Sequence, residues 1–273
     1  MMLERLQYKN HMGEVIDFGR SGIFVSGSDL HDYDWTVSQK NGKISAFERE
    51  ITYRTLPVTI LCPTAEEGVA IRNRLMEVAE KDVLAKKPGR LIVGDYYYTC
   101  YITGSKKSSY LKSRRLMETK LTIISDAPYW VRETLHSFRK KGTADQGLDY
   151  PYNYTFDFTS SFKRSTLVNT DFTASNFRMI IYGPCTNPVV YVSGHAYLVN
   201  CQVASGEYVT IDSVAKTVTR TAANGTITNV FNLRGRESYI FEKIQSGDGT
   251  VTWDGDFGVD IILLEERSEP KWT

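Results

Sequence analysis

One segment of the chain has apolar residues that recur with a helical period. Val69, Met76 and Val83 are seven residues apart, and Leu75 and Ala79 fall on the same side of a helix. Apolar positions three, four and seven residues apart form one face of an α-helix. The spacing therefore predicts an amphipathic helix that buries these five side chains.

Signals at both ends bound this helix at residues 64–86. Thr64 and Glu67 form the Ser/Thr-x-x-Glu pattern, in which each side chain caps a backbone N–H of the first turn. A Lys-Lys pair followed by Pro-Gly occupies residues 86–89. Lysines suit the negative C-terminal end of the helix dipole, and Pro-Gly stops a helix.

The rest of the first half is predicted as strands and turns. β-Branched and aromatic residues are concentrated at 51–62, 90–93, 96–103 and 116–125. Gly94-Asp95 separates two of these runs and predicts a hairpin with a two-residue turn. The polar, basic stretch 104–115 (GSKKSSYLKSRR) is either a long loop or the tip of an extended hairpin.

The second half has no helical period. Short runs separated by Gly, Pro and Asn predict strands at 177–182, 189–192, 207–212, 216–220, 226–231, 238–244, 250–253 and 259–264. Asn224-Gly225 is a strong signal for a short hairpin. Short strands at this spacing are typical of a β-sandwich or jelly roll, so the predicted fold class is mainly β.

A change in composition near residue 140 predicts a domain boundary. Pro128 interrupts the last strand pattern of the first half, and the polar run 139–147 (RKKGTADQG) is typical of a linker. Residues 1–140 carry 22 Lys/Arg and 17 Asp/Glu, and residues 141–273 carry 11 and 15, so the two parts have charges of +5 and −4. We predict an α+β first domain at 1–138 and a β-sandwich second domain at 139–273.

The composition favours a globular protein with packed cores. A chain of 273 residues with 41% hydrophobic and 24% charged residues has enough apolar side chains for packed cores. The net charge of +1 argues against general attraction to nucleic acid. The sequence has no apolar run of membrane-spanning length and its N-terminus lacks the apolar core of a signal peptide, so synthesis in a cytoplasm is expected.

Tyrosine and cysteine usage add two expectations. The 17 tyrosines favour β structure and interaction surfaces. Tyr96, Tyr97 and Tyr98 are consecutive, and since neighbours in a strand alternate, at least one points away from the core. The cysteines are scattered without a C-x-x-C motif, which predicts reduced, partly buried thiols at Cys62, Cys100, Cys185 and Cys201.

The sequence contains no motif that would support catalysis. The four histidines, His11, His31, His136 and His195, are far apart, and the nucleophile elbow, P-loop and dinucleotide fingerprints are missing. The stretch 29–34 (DLHDYD) has the densest set of metal-ligating residue types, but adjacent side chains cannot all face one ion. We therefore predict a solvated loop there, with no metal site and no cofactor.

Two further clusters leave alternatives open. Asp254 and Asp256 flank Gly255 beside Trp253, an arrangement compatible with glycoside hydrolysis, calcium or sugar binding, or an ordinary Asp-Gly turn. A second cluster is basic with an interleaved tyrosine, as in phosphate-contacting segments, or forms a hairpin tip that contacts a partner protein or a channel. Its residues are Lys106, Lys107, Tyr110, Lys112, Arg114 and Arg115.

In the first half, several motifs in order resemble the distal tail protein family of long-tailed phages and prophages of Gram-positive bacteria. The stretch Asp29–Trp35 precedes a first strand pair, and the strands of Arg49–Cys62 lead into the capped helix at Thr64. The hairpin at Gly94-Asp95 follows. Residues 126–130 (DAPYW) are similar to the family's D-x-P-[YF]-[WF] closure of the first domain.

The resemblance continues through the second half. Residues 183–188 (GPCTNP) resemble the family's G-P-x-x-N-P entry to its sandwich, and 206–212 (GEYVTID) with 216–218 resemble its central hairpin. The end of the chain, 265–272 (EERSEPKW), is similar to a closing E-P-x-W run. The resemblance covers nearly the whole chain, and the basic stretch 104–115 matches least.

The resemblance implies a structural role in a virion. Proteins of this family form a hexameric ring at the tail tip or baseplate, with the first domain making the ring and a galectin-like β-sandwich facing outward. The ring joins the tail tube protein, the tape-measure protein and the tail-associated fibre or spike, and often carries receptor-binding proteins. DNA passes through its channel, and the protein is made in the bacterial host cytoplasm. No enzymatic activity and no cofactor are implied.

Two other classes of function remain open from the residues. The sandwich half has aromatic residues, Tyr191, Tyr197 and Trp253, that would suit a carbohydrate-binding module for host cell-wall sugars. The acidic pair at Asp254 and Asp256 would suit a glycosidase.

Overall fold

A computed structural model describes residues 5–20, 22–107, 113–141 and 163–271 of the protein. Within these ranges the protein consists of antiparallel strands, one α-helix and one 3-10 turn, so the prediction of a mainly β fold is confirmed. The chain divides into two compact units, Met1–Arg132 with Glu266–Thr273, and Glu133–Glu265. Whether independently folding domains meet at 138/139 stays a prediction. The predicted linker is described only up to residue 141, and Trp272 of the closing run lies outside the described residues.

Up to Arg132, the first unit contains ten strands in whole or in part. They are β1 (Leu6–Lys9), β2 (Val15–Phe18), β3 (Ile23–Val25), β4 (Thr36–Lys40), β5 (Lys43–Glu48), β6 (Thr52–Leu61), β7 (Gly89–Val93), β8 (Tyr96–Lys107), β9 (Leu116–Ser125) and the first residues of β10 (Trp130–Phe138). The order β2-β1-β7-β8-β10 forms one sheet surface, and β8-β9-β6-β3 forms another. β8 belongs to both: it pairs with β7 from Tyr96 to Cys100 and with β9 from Tyr101 to Lys107, and a register shift lies within the second ladder, between Ile102 and Gly104.

The α-helix, α1, covers Ala65–Ala85 between β6 and β7. The Thr64 side chain accepts a hydrogen bond from the Glu67 backbone N at 3.2 Å, so the predicted cap is confirmed. Lys86 ends the helix in the left-handed conformation at φ 53°.

The predicted buried face of α1 is partly wrong. Leu75 and Ala79 are buried together with Val78. Val69 and Val83, however, are each 40% exposed. Each of these two valines directly follows a buried residue, and one residue turns the chain about 100° around a helix, so both lie beside the buried stripe. Met76, the middle residue of the seven-residue repeat, is half-buried and packs against the core, so the repeat follows the border of the buried stripe.

Replacing Thr64 by alanine should lower the free energy of unfolding by about 1 kcal/mol, because the Glu67 N–H then loses its acceptor. Urea unfolding of the two proteins measures this difference. Thr64→Ser keeps the hydroxyl and should unfold at the wild-type midpoint. Equal midpoints for the alanine and serine variants would show that the hydroxyl does not cap α1.

β8 forms antiparallel ladders with the strands before and after it in the chain, β7 and β9. Val93 pairs with Tyr96, which leaves Gly94-Asp95 as the predicted two-residue turn, with Gly94 at φ 55°. The ladder between β8 and β9 extends to Lys107 and Thr119, so residues 104–107 of the basic stretch belong to β8, whereas residues 113–115 precede β9. Residues 108–112 lie outside the described residues.

The consecutive tyrosines alternate as predicted. Tyr96 and Tyr98 are buried in the core, whereas Tyr97 is half-buried on the opposite face. The Arg90 guanidinium lies 3.9 Å from the centre of the Tyr97 ring. Successive side chains of a strand point to opposite faces of its sheet, so the buried and half-buried tyrosines alternate along β8.

The second unit contains the end of β10 and eleven further strands. These are β11 (Lys163–Asn169), β12 (Asn176–Tyr182), β13 (Cys185–Thr186), β14 (Val189–Val192), β15 (His195–Leu198), β16 (Gln202–Val203), β17 (Tyr208–Asp212), β18 (Thr217–Thr221), β19 (Ile227–Asn229), β20 (Gly247–Trp253) and β21 (Val259–Arg267). The order β19-β18-β17-β12-β21 forms one sheet and β11-β20-β14-β15 another. Side chains of both sheets, such as Phe177 of β12 and Trp253 of β20, share one buried core, so the unit is a sandwich.

Two strand predictions in the second half need correction. The run 238–244 is not a strand, because Ile240 and Phe241 are adjacent and both buried, which an alternating strand does not allow. A turn from Tyr239 to Glu242 brings both side chains inward. The run 226–231 contributes only β19 and then continues into a 3-10 turn at Phe231–Leu233.

The sequence pattern also missed β10. Pro128 ends the preceding ladder as expected, but the chain resumes a strand at Trp130 and pairs with Tyr98 of β8. Burial alternates along most of this strand, but its apolar residues do not, because the inward positions between Trp130 and Phe138 are the polar residues Arg132, Thr134 and His136.

Candidate functional site

The strands β4 and β5 form a hairpin that pairs with no other strand of the described chain. Lys40 pairs with Lys43, so Asn41-Gly42 is a two-residue turn, with φ values of 54° and 72°. Two successive positive φ angles define the turn that matches the twist of a hairpin, and Asn-Gly is its preferred sequence. The dipeptide was the signal that would have located this hairpin from the sequence.

A β-bulge makes this hairpin two-faced. Val37 pairs with Phe47, but the register then shifts so that Gln39 pairs with Ile44, which leaves Ser45 as the extra residue. Ile44 and Phe47 are three residues apart and would lie on opposite faces of a regular strand. The inserted residue returns both to the face that carries Val37.

The resulting apolar hairpin face is defined by Val37, Ile44 and Phe47. These side chains are 42%, 59% and 59% exposed. The opposite face carries mainly polar pairs, among them Thr36 with Glu48 and Lys40 with Lys43. Contact of the apolar face with another surface would be favourable, because burying a large apolar side chain contributes roughly 1.5–3 kcal/mol.

The base of the hairpin is held by an aromatic cluster around Arg49, the residue that follows β5. Its guanidinium carbon lies 4.5 Å from the Trp35 ring centre, 4.7 Å from that of Tyr129 and 5.8 Å from that of Tyr33. At these distances a cation is attracted to the ring faces. Trp35 and Tyr33 directly precede β4, so the cluster joins both ends of the hairpin.

The same guanidinium donates two hydrogen bonds to distant parts of the first unit. One goes to the Pro128 carbonyl oxygen at 2.5 Å, and the other goes to Ser268 Oγ. We call Arg49, its three rings and these two acceptors the Arg49 cluster. Two of its members come from the DAPYW motif, so that motif has a structural role beyond ending the first half.

The acidic stretch 29–34 attaches to the side of β6 that faces away from β9, ahead of the residues that pair with β3. The Asp29 carboxylate accepts a hydrogen bond from the Thr55 backbone N at 2.9 Å. Arg54 donates to the Asp32 carbonyl oxygen, and the buried Trp130 Nε1 donates to the Leu30 carbonyl oxygen at 3.2 Å. These contacts hold the loop on the sheet. Throughout the described ranges, no three His, Cys, Asp or Glu side chains converge on a point where a metal ion would bind.

The end of the β8–β9 hairpin is basic. Lys106 and Lys107 are exposed on β8, and Arg114 is exposed before β9, whereas Tyr110 and Lys112 lie outside the described residues. Lys106 pairs directly across the ladder with Lys120, a residue that the sequence pattern did not single out. Like charges at directly opposed positions are unfavourable, so this end of the hairpin concentrates positive charge at a cost to stability.

The helix α1 fixes this basic hairpin end. The Arg72 guanidinium donates to the carbonyl oxygens of Ser113 at 3.0 Å and Leu116 at 2.9 Å. The Arg115 Nε donates to the Cys62 carbonyl oxygen at 3.1 Å, so that arginine supports the structure. A Cβ at Gly68 would lie 2.3 Å from the Arg114 carbonyl oxygen, so only glycine allows this approach.

A buried polar network lies at the other end of α1. Asp82 is completely buried and accepts hydrogen bonds from Tyr8 Oη at 2.5 Å and from the His11 backbone N at 2.9 Å. The His11 Nδ1 lies 2.5 Å from the same carboxylate. Burial, together with the hydrogen bond to Asp82, raises the pKa of Tyr8 well above its usual range, so Tyr8 stays a hydrogen-bond donor.

In the second unit, the acidic pair forms a turn. The Asp256 backbone N donates to Asp254 Oδ1 at 3.0 Å, and Gly255 adopts φ 85°. A carboxylate that binds the backbone two residues ahead is a common turn device. The ordinary-turn interpretation therefore accounts for both aspartates.

The aromatic residues suggested for sugar binding are mostly core residues. Trp253 is completely buried, and its Nε1 donates to the Phe257 carbonyl oxygen at 3.0 Å. Tyr197 is also buried, and its hydroxyl donates to the Glu242 carbonyl oxygen at 2.7 Å. Only Tyr191 of the three is half-exposed. The suggested sugar platform was therefore wrong for Tyr197 and Trp253.

The cysteines form no disulfide bond. Cys62, Cys100 and Cys201 are buried, Cys185 is half-buried, and all four are free thiols. No helix of the described chain has the length and apolar character needed to cross a bilayer.

Comparison with solved structures identifies the fold. A chain of the phage P2 baseplate in its activated conformation with Ca superposes with a TM-score of 0.64 over 98% of this chain and 100% of that chain, at 15% identity. The corresponding structure with Sr gives a TM-score of 0.63 at 15% identity, again over 98% and 100%.

A second phage provides the same result. The Dit protein of SPP1, described as a paradigm of hub adsorption apparatus in phages that infect Gram-positive bacteria, matches with a TM-score of 0.60 and 8% identity over 97% of this chain and 99% of that chain. No family model matches the sequence, and no curated protein matches it. The chain therefore has the fold of phage distal tail proteins over almost its whole length.

Proposed function

We propose that the protein is a structural hub of a phage tail tip or baseplate and that it assembles into a hexameric ring. The observation that carries this proposal is the apolar hairpin face of Val37, Ile44 and Phe47, which has no covering partner in the described chain. The shared fold with a P2 baseplate chain and with SPP1 Dit supports the tail-tip role.

The hairpin suits a ring because it projects one apolar face from one side of each copy. Docking of such a hairpin on a different surface of the next copy is a head-to-tail contact. Contacts of this kind close into a ring when the rotation from copy to copy completes a full turn. A second copy of the chain is therefore the occupant that we propose for the apolar hairpin face.

Oligomeric state tests this proposal directly. Native mass spectrometry and sedimentation velocity of the full chain over a concentration series should show a six-copy species, and negative-stain images should show sixfold rings. A monomer at every concentration, both alone and co-expressed with the proteins of neighbouring genes, would refute the ring.

Within the virion, the ring would connect the tail tube and tape-measure proteins to the tail-associated fibre or spike. The first unit would form the ring around a channel for DNA, and the second would face outward, where receptor-binding proteins attach. The protein would be made in the host cytoplasm and act through its contacts, without catalysis. The proposal predicts a tape-measure gene upstream and a fibre gene downstream of its own gene.

The basic hairpin end is proposed as a contact for an acidic surface of an adjoining tail protein or for DNA in transit. Lys106→Glu should raise the free energy of unfolding by up to about 0.5 kcal/mol, because the opposed Lys106–Lys120 pair becomes an opposite-charge pair. The same change should weaken co-purification with tail proteins co-expressed from neighbouring genes. Urea unfolding and pull-down yield measure the two effects.

Lys243→Glu, an equal charge change at an exposed position of the second unit, is the matched control and should change neither quantity. If Lys106→Glu stabilises the chain and leaves co-purification intact, the basic hairpin end does not contact a tail protein. Loss of binding to a DNA duplex at low salt would then assign it to DNA.

A further inference from the structure

We infer that Arg49 is a positioning residue for assembly: the Arg49 cluster fixes the direction in which the hairpin β4–β5 leaves the first unit. The inference rests on the proposed function, since it names the residue that aims the proposed ring contact. β4 and β5 pair only with each other among the described strands. Their orientation therefore depends on contacts at their base, and Arg49 lies there directly after β5.

The contacts of Arg49 come from three separate parts of the chain. Tyr33 and Trp35 precede the hairpin, Tyr129 follows β9, and Ser268 lies near the end of the chain. Arg49 therefore ties both ends of the hairpin to segments that are distant in sequence. A flexible two-stranded ribbon that is attached only through its own chain ends would lack such a fixed direction.

The chemistry of the cluster requires arginine. A guanidinium is planar, so ring faces can cover it while its N–H groups donate within its plane. Here it meets three rings and donates to the Pro128 carbonyl oxygen and to Ser268 Oγ. A lysine ammonium can meet the rings, but it cannot reproduce the two directed bonds of the fork.

The cluster is not arranged for maximum stability. The Arg49 Nε is buried and has no hydrogen-bond partner among the described residues. A buried donor without an acceptor is a cost. A half-buried charge held at such a cost, at the base of a hairpin that pairs with no other described strand, supports a role in geometry more than one in stability.

Fixed direction matters for a closed ring. A head-to-tail contact repeats the same rotation at every interface, so an error in hairpin direction accumulates from copy to copy and prevents closure. A contact element that is ordered before binding also loses less conformational entropy on binding. For both reasons, loss of the Arg49 side chain should weaken assembly even if the chain still folds.

Spin-label distances test the direction of the hairpin independently of assembly. Pulsed EPR measures the distance between spin labels at Lys43→Cys, beside the hairpin turn, and Lys120→Cys, on β9. All samples carry Cys185→Ser, which removes the half-buried native thiol. Phe47→Glu is included in all samples so that any self-association through the apolar hairpin face is removed. Adding Arg49→Ala should broaden the distance distribution at least about twofold, while Arg49→Lys should give an intermediate width. An unchanged width with Arg49→Ala overturns the inference.

Sedimentation velocity with Phe47 retained gives the second measurement. Arg49→Ala should weaken self-association at least about tenfold in apparent Kd, with circular dichroism unchanged, and Arg49→Lys should recover part of the loss. Normal association of Arg49→Ala would also overturn the inference while leaving the ring intact. If the wild type itself never associates, the ring proposal fails, and the EPR widths still decide the role of Arg49.

Discussion

Phe47→Glu should abolish the proposed self-assembly and leave the protein monomeric. Phe47 is 59% exposed on the apolar hairpin face, where it pairs across the hairpin with Val37. The change removes roughly 1.5–3 kcal/mol of apolar burial and places an unpaired charge in the contact, which costs more still. Together these terms should raise the apparent Kd of self-association by at least about 100-fold.

The matched control is Ala46→Glu, which adds the same charge at the adjacent residue but on the opposite face of the hairpin. It should assemble nearly as the wild type does. Sedimentation velocity over a concentration series compares the three proteins, and circular dichroism confirms that each is folded. Equal loss of assembly in both variants would show that the effect is one of charge or folding and not of the apolar face.

Asp82→Ala should be among the most destabilising single changes in the first unit, at about 3–5 kcal/mol. The carboxylate accepts hydrogen bonds from the Tyr8 hydroxyl and the His11 backbone N inside the core. Truncation leaves these donors buried without an acceptor, and each such group costs about 1–3 kcal/mol. Tight packing at Gly89, where a Cβ would lie 2.5 Å from both Asp82 Oδ2 and Tyr8 Oη, restricts any rearrangement that would let water in.

Urea unfolding measures the total loss, and hydrogen exchange locates it. Amides of α1 and β1 should exchange faster in Asp82→Ala, because the lost bonds join these two elements. Glu80→Ala, an exposed acidic residue of the same helix, should stay within about 0.5 kcal/mol of the wild type. A loss for Asp82→Ala as small as that for Glu80→Ala would show that the network contributes little.

Features with local signals were predictable from the sequence. The Thr64 cap, the Gly94-Asp95 turn and most second-half strands depend on residues close together in the chain, and the structure confirms them. The heptad of Val69 and Val83 failed because a seven-residue repeat does not by itself identify which of two adjacent helix faces meets the sheet. The run 238–244 failed because its apolar residues pack through a turn.

The candidate site was harder to predict, since its parts are distant in sequence. Asn41-Gly42 signalled the hairpin, but the bulge at Ser45 that makes it two-faced appears only in the register. No local pattern connects Arg49 with Tyr129 and Ser268, which lie at the two closing motifs of the chain. Likewise, the opposition of Lys106 and Lys120 depends on strand pairing.

The side of β6 that faces away from β9 is occupied by several different contacts. Thr55 and Pro57 are two residues apart, so their backbones face the same side of the strand. Asp29 occupies the Thr55 N–H, and Pro57 has no N–H to offer. An open strand edge is a template for uncontrolled polymerisation, and proline or a charge on it prevents such pairing. From Thr55 to Ile60 this edge is therefore closed to the fibre-like growth that an exposed strand would allow, because Asp29, Ser26 and β3 occupy it in turn.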